Sequence, residues 1–399
     1  MAKKNKEKRE SSQLDIFQAL AEQTNGELLG QMKAAKYFID TGNLAFNFIA
    51  SGKFINGGLP GGRISEFYGP SSSAKSLWAT NLLFGCQKLG GYAILLDCEN
   101  ASNPEWIRKA SHLDVDRVVR YTPKTLEEAF LKMYNVIKVI RSRDTEVPIM
   151  IVYDSITVSP TARELREIDL PENYTEAEFK RIVQRHEQPG ERAKVISTEL
   201  RKLNGLMEEM DATILIVNQV RDKIGVSYGS PETVSGGRAL EFYCSQRFRT
   251  SSHATIKNPK LNNMITGVNV KITNKKNRFF RPHAWAEGVQ LLFDRGINPL
   301  SGLLDVLIQA ERIEAKSSGN YVVLPDYLPE GKESYGFKGS KARGDVPRAL
   351  VLDCPRLIDA ESREEVEDYL SPYADFEQLQ EEGSIMEEAI TNGLNEEEL

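Results

Sequence analysis

Residues 61–76 read G-G-R-I-S-E-F-Y-G-P-S-S-S-A-K-S, and these residue types in this order could cradle a polyphosphate. A short strand-like run (Ile64, Glu66, Phe67, Tyr68) breaks at Gly69-Pro70. The small residues Ser71, Ser72, Ser73 and Ala74 follow, Lys75-Ser76 close the loop, and Leu77, Trp78, Leu82, Leu83 and Phe84 then recur at helical spacing. In a strand, loop, Lys-Ser, helix layout the loop N–H groups and the positive helix end converge on phosphates, the Lys reaches the terminal ones and the hydroxyl holds Mg²⁺. Ala74 stands where the second glycine of such loops is expected. A relaxed G-x5-K-[ST] pattern arises by chance roughly 0.2 times in a chain of this length, so a serine-rich turn is the alternative at this point.

The elements that must position these residues follow in order. An apolar run at 92–96 ends in Asp97-Cys98-Glu99-Asn100, a helix is expected around 106–111, an extended segment at 117–121 and a helix over 126–140. The run 148–155 (P-I-M-I-V-Y-D-S) reads as a buried strand with an acid at its end. A charged stretch at 163–192, a helix at 195–210 and a strand at 213–219 ending in Asn218-Gln219 come next. Short apolar strands alternating with amphipathic helices predict an α/β fold, a mostly parallel sheet covered by helices. In such sheets ligands sit at the carboxyl ends of the strands, where Lys75, Glu99, Asp154 and Gln219 all fall. Asp154 could hold Mg²⁺ through water near Ser76, its alternative being a helix N-cap. Glu99 could orient or deprotonate the water that attacks a phosphoanhydride, its alternative being a solvated loop acid.

Residues 218–243 read N-Q-V-R-D-K-I-G-V-S-Y-G-S-P-E-T-V-S-G-G-R-A-L-E-F-Y. Glycines at 225, 229, 236 and 237 could expose N–H groups to a phosphodiester chain, Arg221, Lys223 and Arg238 could neutralise it, and Tyr228 could stack on bases. A mobile surface loop has the same composition, but this one starts at a strand end beside the nucleotide site.

Composition bounds the rest. A chain of 399 residues, 40% hydrophobic, can bury a large core, and no apolar run of membrane-spanning length occurs. The basic start (M-A-K-K-N-K-E-K-R-E) has no apolar stretch behind it, so neither a membrane span nor a secretory signal is expected and the location reads as cytoplasmic. Cys86, Cys98, Cys244 and Cys354 are far apart, as reduced thiols without a metal would be. Net charge is −6, yet nine acidic residues and no Lys or Arg follow Pro372; the other 48 carboxylates face 51 Lys and Arg, leaving a body of charge +3. A basic body with an acidic tail suits a nucleic-acid binder whose tail competes with the ligand, and a solubilising tail is the alternative. Near the start, Leu14, Phe17, Leu20 and Ala21 form a helical stripe that needs something to pack on, a neighbouring subunit being one candidate.

Taken together, the motifs at 57–76, L-L-D-C-E-N, I-V-Y-D-S, the 216–243 stretch, and K-K-N-R-F-F-R-P before G-I-N-P-L-S-G-L-L-D resemble the RecA-type homologous recombinases over roughly 41–305. The relaxed phosphate loop, the longer insert after Asp154 and the acidic C-terminus are similar to the bacteriophage branch of that family, with a host-cytosol location if phage-encoded.

The resemblance implies roles residue by residue. Gly69, Pro70, Ser71, Ser72, Ser73, Ala74, Lys75 and Ser76 would bind ATP phosphates, Ser76 and Asp154 would serve Mg²⁺, and Glu99, with Lys75 and Gln219, would carry hydrolysis. Trp106 falls where the family places an aromatic on adenine, with Asn103 three residues before it. Gln219 would sense the γ-phosphate and pass its state to the DNA loop. Lys276 and Arg278 would reach the ATP of an adjacent subunit. Ile224 would wedge between base triplets beside Gly225, Gly236 and Gly237, and Arg192 and Lys194 would belong to a first DNA loop. Glu241 departs from the Lys of bacterial members.

The implied activity is a DNA-dependent ATPase that forms helical filaments on single-stranded DNA and exchanges strands with double-stranded DNA in recombination and repair. Single-strand binding and loader proteins are further candidate partners. A ring-forming helicase and a non-catalytic accessory paralogue on the same fold are the alternatives. The expected division is a basic arm and oligomerisation helix at 1–40, an ATPase and DNA-binding core at 41–300, a small α+β region at 301–373 and the acidic tail at 374–399.

Overall fold

A computed structural model describes residues 15–26, 28–31, 35–166, 190–222, 232–258, 262–317, 319–339 and 346–376. The chain divides into two compact units, residues 1–36 and 37–399. The first contains a helix, α1 (15–23), and a 3₁₀ turn at Leu29–Gln31. Ile16, Phe17 and Leu20 of α1 are exposed, as the stripe in the sequence requires of a helix with an apolar face.

The second unit is built on a ten-stranded sheet. After β1 (Phe38–Ile39), α2 (Leu44–Ser51) and β2 (Leu59–Pro60) come β3 (Ile64–Gly69), α3 (Lys75–Lys88), β4 (Tyr92–Asp97), α4 (Pro104–Ser111), β5 (Val118–Tyr121), α5 (Leu126–Arg141) and β6 (Ile149–Asp154). Then follow α6 (Ala162–Arg166), α7 (Glu191–Met210), β7 (Ala212–Asp222), β8 (Glu232–Val234) and α8 (Arg238–Tyr243). The path through the sheet is β5-β4-β6-β7-β3-β9, all parallel, where β9 is Gln246–Asn258. β10 (Met264–Asn277), β11 (Trp285–Leu292) and β12 (Gly296–Ile297) extend it antiparallel, and β8 folds back on the end of β7. The parallel half matches the sequence expectation.

Alternation along each strand splits the core between the two faces of the sheet. Ala93, Leu95, Met150, Val152, Leu215 and Val217 pack with α2, α3 and the C-terminal region. Ile94, Leu96, Ile149, Ile151, Ile214 and Ile216 pack with α5 and α7. On the first face Phe46 meets Phe67, Trp78 and Phe248 at ring centroid distances of 5.4, 4.9 and 4.9 Å, which pins the phosphate-loop strand and the helix after it to one aromatic centre. The region after α9 (Leu303–Gln309) carries β13 (Ile313–Ser317), β14 (Asn320–Val323), β15 (Gly336–Lys338), α10 (Arg348–Asp353) and α11 (Arg363–Leu370). Its Tyr321, Leu350, Leu357 and Val366 belong to the same apolar cluster as Phe46 and Trp78. Among the described residues no helix is long and apolar enough to cross a membrane.

Candidate nucleotide site and its neighbours

Gly69, the last residue of β3, leaves no room for a side chain where the chain passes against β9: a Cβ there would stand 2.2 Å from the Thr250 carbonyl oxygen. The loop then turns through Ser72 and Ala74, both in the left-handed region with φ of 60°. Ser73 Oγ pairs with Thr250 Oγ1 at 2.9 Å, a second tie to β9. Ala74 is the N-cap of α3 and offers no side-chain cap, so the first N–H groups of this 14-residue helix point into the loop without a capping side chain.

Lys75 folds back over the loop, donating to the carbonyls of Gly69 at 3.1 Å and Pro70 at 2.6 Å. Burial lowers its pKa, opposed by Asp154 and Glu99. Two carboxylates, Asp154 and Glu99, lie close enough to oppose that shift, and Asp97 stands beside Asp154. Asp97 and Asp154 are register partners on β4 and β6, and Gly69 pairs with Gln219 on β7. Ser76 hydrogen-bonds Asp154, whose pKa burial raises to about 6, with Glu99 and Asp97 adding to the rise and Ser76 and Lys75 opposing it. Asp97 behaves oppositely: burial would raise it, but the Ser102 hydroxyl, the Arg120 guanidinium, with Nε and Nη2 at 2.9 and 2.7 Å from its Oδ2, and the Ser102 N–H at 3.3 Å hold it below the usual carboxylate range.

Glu99 is exposed, and its Oε1 accepts from Ser155 Oγ at 2.9 Å and from Gln219 Nε2 at 3.1 Å. Lys75, Ser76, Glu99, Asp154 and Gln219 thus converge at the carboxyl edge of the parallel strands. The residues fit a Mg²⁺–nucleotide: a close-approach glycine, an ammonium on the loop, a helix N-terminus, and a hydroxyl–carboxylate pair.

Asn103 caps α4, its Oδ1 accepting from the N–H groups of Glu105 and Trp106 at 3.0 and 3.1 Å. Trp106 is 40% exposed and donates its indole N–H to the Phe293 carbonyl at 3.0 Å, which fixes the ring plane. Lys276 and Arg278 are not brought to the phosphate loop of their own chain. Lys276 pairs with Arg247 of β9, which pairs with Glu66, three residues before Gly69 on β3. Its ammonium donates to the carbonyls of Glu241 and Phe242, the end of α8, at 2.6 and 3.1 Å. Phe242 beside it is 73% exposed.

Of the DNA-loop candidates, Lys223, Ile224, Gly225 and Tyr228 lie outside the described residues. Arg221 lies on β7 opposite Thr233 of β8, so the two described ends of the segment pair antiparallel. Gly236 has φ +90°, and a Cβ there would meet Ile196 at 3.1 Å; Gly237 caps α8 and Arg238, its first residue, is exposed. Arg192 Nη2 donates inward to the carbonyls of Ile156 and Thr157, while Lys194 is exposed on α7.

The sequence reading assigned no role to Ser155, Asp97 or Arg120. Ser155 was visible in I-V-Y-D-S as a hydroxyl one residue beyond the strand-end acid, and Asp97 stood in L-L-D-C-E-N. Arg120 gave no signal, because pairing β5 beside β4 is a matter of topology.

The RecA N-terminal domain model matches residues 23–298. The chain is 34% identical over 297 residues to Protein RecA of Chlorobium limicola, covering 74% of this chain and 76% of that protein. It is 34% identical to Protein RecA of Chlorobaculum tepidum, covering 74% and 77%. For Protein RecA of Roseiflexus castenholzii the identity is 32% over 328 residues, covering 82% and 83%. A family model matching well over half the chain, relatives of this identity along most of their length, and a phosphate loop facing strand-end carboxylates lead to one conclusion: the chain belongs to the RecA family of recombinases.

Proposed function

We propose that this protein is a DNA-dependent ATPase that polymerises on single-stranded DNA and catalyses homologous pairing and strand exchange. The observation that carries the reading is the contact of Gln219 with Glu99 beside Lys75 and Asp154, because Gln219 is also where the Gly-rich, cationic segment begins. Lys75 and the N-terminus of α3 bind and orient the ATP phosphates. Ser76 and Asp154 would hold a Mg²⁺, which would supply neutralisation of charge on the phosphate oxygens. Glu99 takes a proton from the attacking water, and Ser155 and Gln219 hold its carboxylate in place.

In this reading Lys276 and Arg278 act on the ATP of the adjacent subunit, which is supported by their position beside exposed Phe242 and away from their own phosphate loop. Trp106 and Asn103 border the adenine. Arg221, Lys223, Ile224, Gly225, Tyr228, Gly236, Gly237 and Arg238 form the main DNA loop, and Arg192 and Lys194 flank the other. The exposed stripe of α1 is the oligomerisation surface of residues 1–40, followed by the ATPase core, the 301–373 region and the tail. Ala74 in the phosphate loop, the 155–190 insert and the acidic C-terminus favour the bacteriophage branch, which would place the protein in the host cytosol with single-strand binding and loader proteins as partners.

One assay tests this. ATP hydrolysis measured with and without single-stranded DNA should rise severalfold or more with DNA, and negative-stain images should show open filaments. Closed hexameric rings would support the helicase alternative, and DNA binding without turnover the accessory paralogue.

A further inference from the structure

Asn218, next to Gln219, is fully buried, and its carboxamide is satisfied on every side. Its Nδ2 donates to Glu66 Oε1 at 2.9 Å and to the Ser235 carbonyl at 2.9 Å. Its Oδ1 accepts from Thr157 Oγ1 at 2.9 Å and from the Gln219 N–H at 2.9 Å, and Thr157 Oγ1 accepts from the same N–H at 3.0 Å. One side chain therefore ties together four pieces of chain. They are the phosphate-loop strand at Glu66, the turn after Asp154 at Thr157, the backbone of Gln219, and the returning end of the 219–238 segment at Ser235.

The other groups in the cluster have fixed partners. Glu66 is fully buried and pairs through Oε2 with Arg247, which is itself buried between β3 and β10 and reaches toward Glu241 of α8 at 3.9 Å. The same turn carries Ser155 on its other side, bonded to Glu99. A displacement of the Gln219 main chain that accompanies a change of partner at its side-chain amide would therefore strain its bonds to Thr157 and Asn218, and through Asn218 the Ser235 carbonyl. Buried amides with every donor and acceptor matched have one low-energy orientation, so the junction transmits displacement instead of absorbing it.

We infer that Asn218 is a positioning residue that couples nucleotide state at Glu99 and Gln219 to the conformation of the DNA loop, through its paired bonds to Glu66 and the Ser235 carbonyl. This rests on the reading that the 219–238 segment binds single-stranded DNA in an ATP-dependent way. The coupling is reciprocal: the factor by which ATP tightens DNA binding is the factor by which DNA tightens ATP binding.

The test is the affinity for a single-stranded oligonucleotide with and without a non-hydrolysable ATP analogue in Mg²⁺, in the full-length protein. The wild-type chain should show tightening by the analogue. In Asn218→Ala that tightening should fall at least fivefold, while affinity for the analogue without DNA stays within twofold. A merely structural role would lower thermal stability and weaken both ligands together without removing their coupling.

If Asn218→Ala does not fold, Asn218→Asp with Glu66→Gln keeps volume and net charge, leaves Arg247 an amide oxygen in place of the Glu66 carboxylate and restores the 66–218 hydrogen bond, but sets a carboxylate against the Ser235 carbonyl. This double variant should fold and still lack the tightening. Wild-type tightening in either folded variant overturns the inference. No tightening in the wild-type chain overturns the functional reading beneath it instead.

Discussion

Gln219 donates its side-chain amide to Glu99 Oε1 across 3.1 Å, on the same oxygen that accepts the Ser155 hydroxyl across 2.9 Å. The carboxylate that would activate water is thus held by a β6 neighbour and by the first residue of the DNA segment. Glu99→Gln keeps the shape and loses the base, so hydrolysis should fall about 10²-fold or more while ATP and DNA still bind. Ser155→Ala removes one of two donors and should lower turnover by about five- to tenfold with nucleotide affinity unchanged, as expected for a hydrogen bond of about 1 kcal/mol. Loss of DNA binding by Glu99→Gln in parallel with turnover would make Glu99 a structural residue.

Lys75→Ala should abolish nucleotide binding and turnover without unfolding the chain. Among the described residues its ammonium donates to the Gly69 and Pro70 carbonyls and Ser73, so truncation removes charge from the loop and little core volume. Circular dichroism should superimpose on the wild-type spectrum. Hydrolysis at the wild-type rate in this variant would remove the loop from the mechanism.

Ala74 adopts φ 60° and ψ 24° at the N-cap of α3. A Cβ in this region costs about 1 kcal/mol, while glycine adds chain entropy of similar size to the unfolded state. Ala74→Gly should therefore change stability by less than about 1 kcal/mol and leave nucleotide affinity intact. Ala74→Val puts a β-branched side chain at positive φ and should weaken nucleotide binding at least tenfold. If valine is tolerated in both stability and binding, the left-handed turn is not required by the loop.

The parallel half of the sheet and its ligand edge were legible because each strand carries a continuous apolar run, with its functional residue at the end of the run. The 92–96, 148–155 and 213–219 runs became β4, β6 and β7 with boundaries shifted by at most three residues. The antiparallel extension was not legible, since β9 and β10 mix polar and apolar residues along 13 and 14 positions and their pairing contains three register shifts. The sequence places Asn218 at the end of the 213–219 strand and at the head of the Gly-rich stretch but gives it no role. Its partners Glu66, Thr157 and Ser235 are separated from it by 152, 61 and 17 residues, and contacts of that kind follow from strand order. Glu241, which departs from the bacterial pattern, proved to lie toward Arg247 in the same cluster.

Lys276 holds the carbonyl end of α8 in its own chain; if Lys276 and Arg278 act on the adjacent subunit's ATP, the double variant Lys276→Ala, Arg278→Ala is expected to bind ATP but not to assemble cooperatively or turn it over. Mixed with Glu99→Gln protein it should partly recover hydrolysis, at junctions where one subunit supplies Glu99 and the other the cations. A pull-down establishes that the two variants co-assemble. Absence of recovery at every mixing ratio, with co-assembly shown, would place the whole site within one subunit.

Asp154 gives the pH dependence. Its folded-state pKa is raised from 3.8 to about 6, chiefly by burial and then by Glu99 and Asp97. Between these values the folded protein holds a proton that the unfolded chain has released, so stability from this group is present at low pH and is lost as pH rises from about 4 to about 6. The slope cannot exceed about 1.4 kcal/mol per pH unit for one proton. Glu66 also titrates upward and Asp40 and Asp97 downward, so the informative quantity is the difference between wild type and Asp154→Asn. Measured by urea denaturation in EDTA, the stability of wild type relative to the variant should decline across that window and level off above it. Mg²⁺ binds the ionised carboxylate of the folded protein, so adding it should shrink the decline from its upper end in the wild type while its lower edge stays near the unfolded-state value, with a smaller effect in the variant. A difference that is flat from pH 4 to 7 would mean that Asp154 keeps its ordinary acidity, and the proximity of Asp97 and Glu99 would then not raise its pKa.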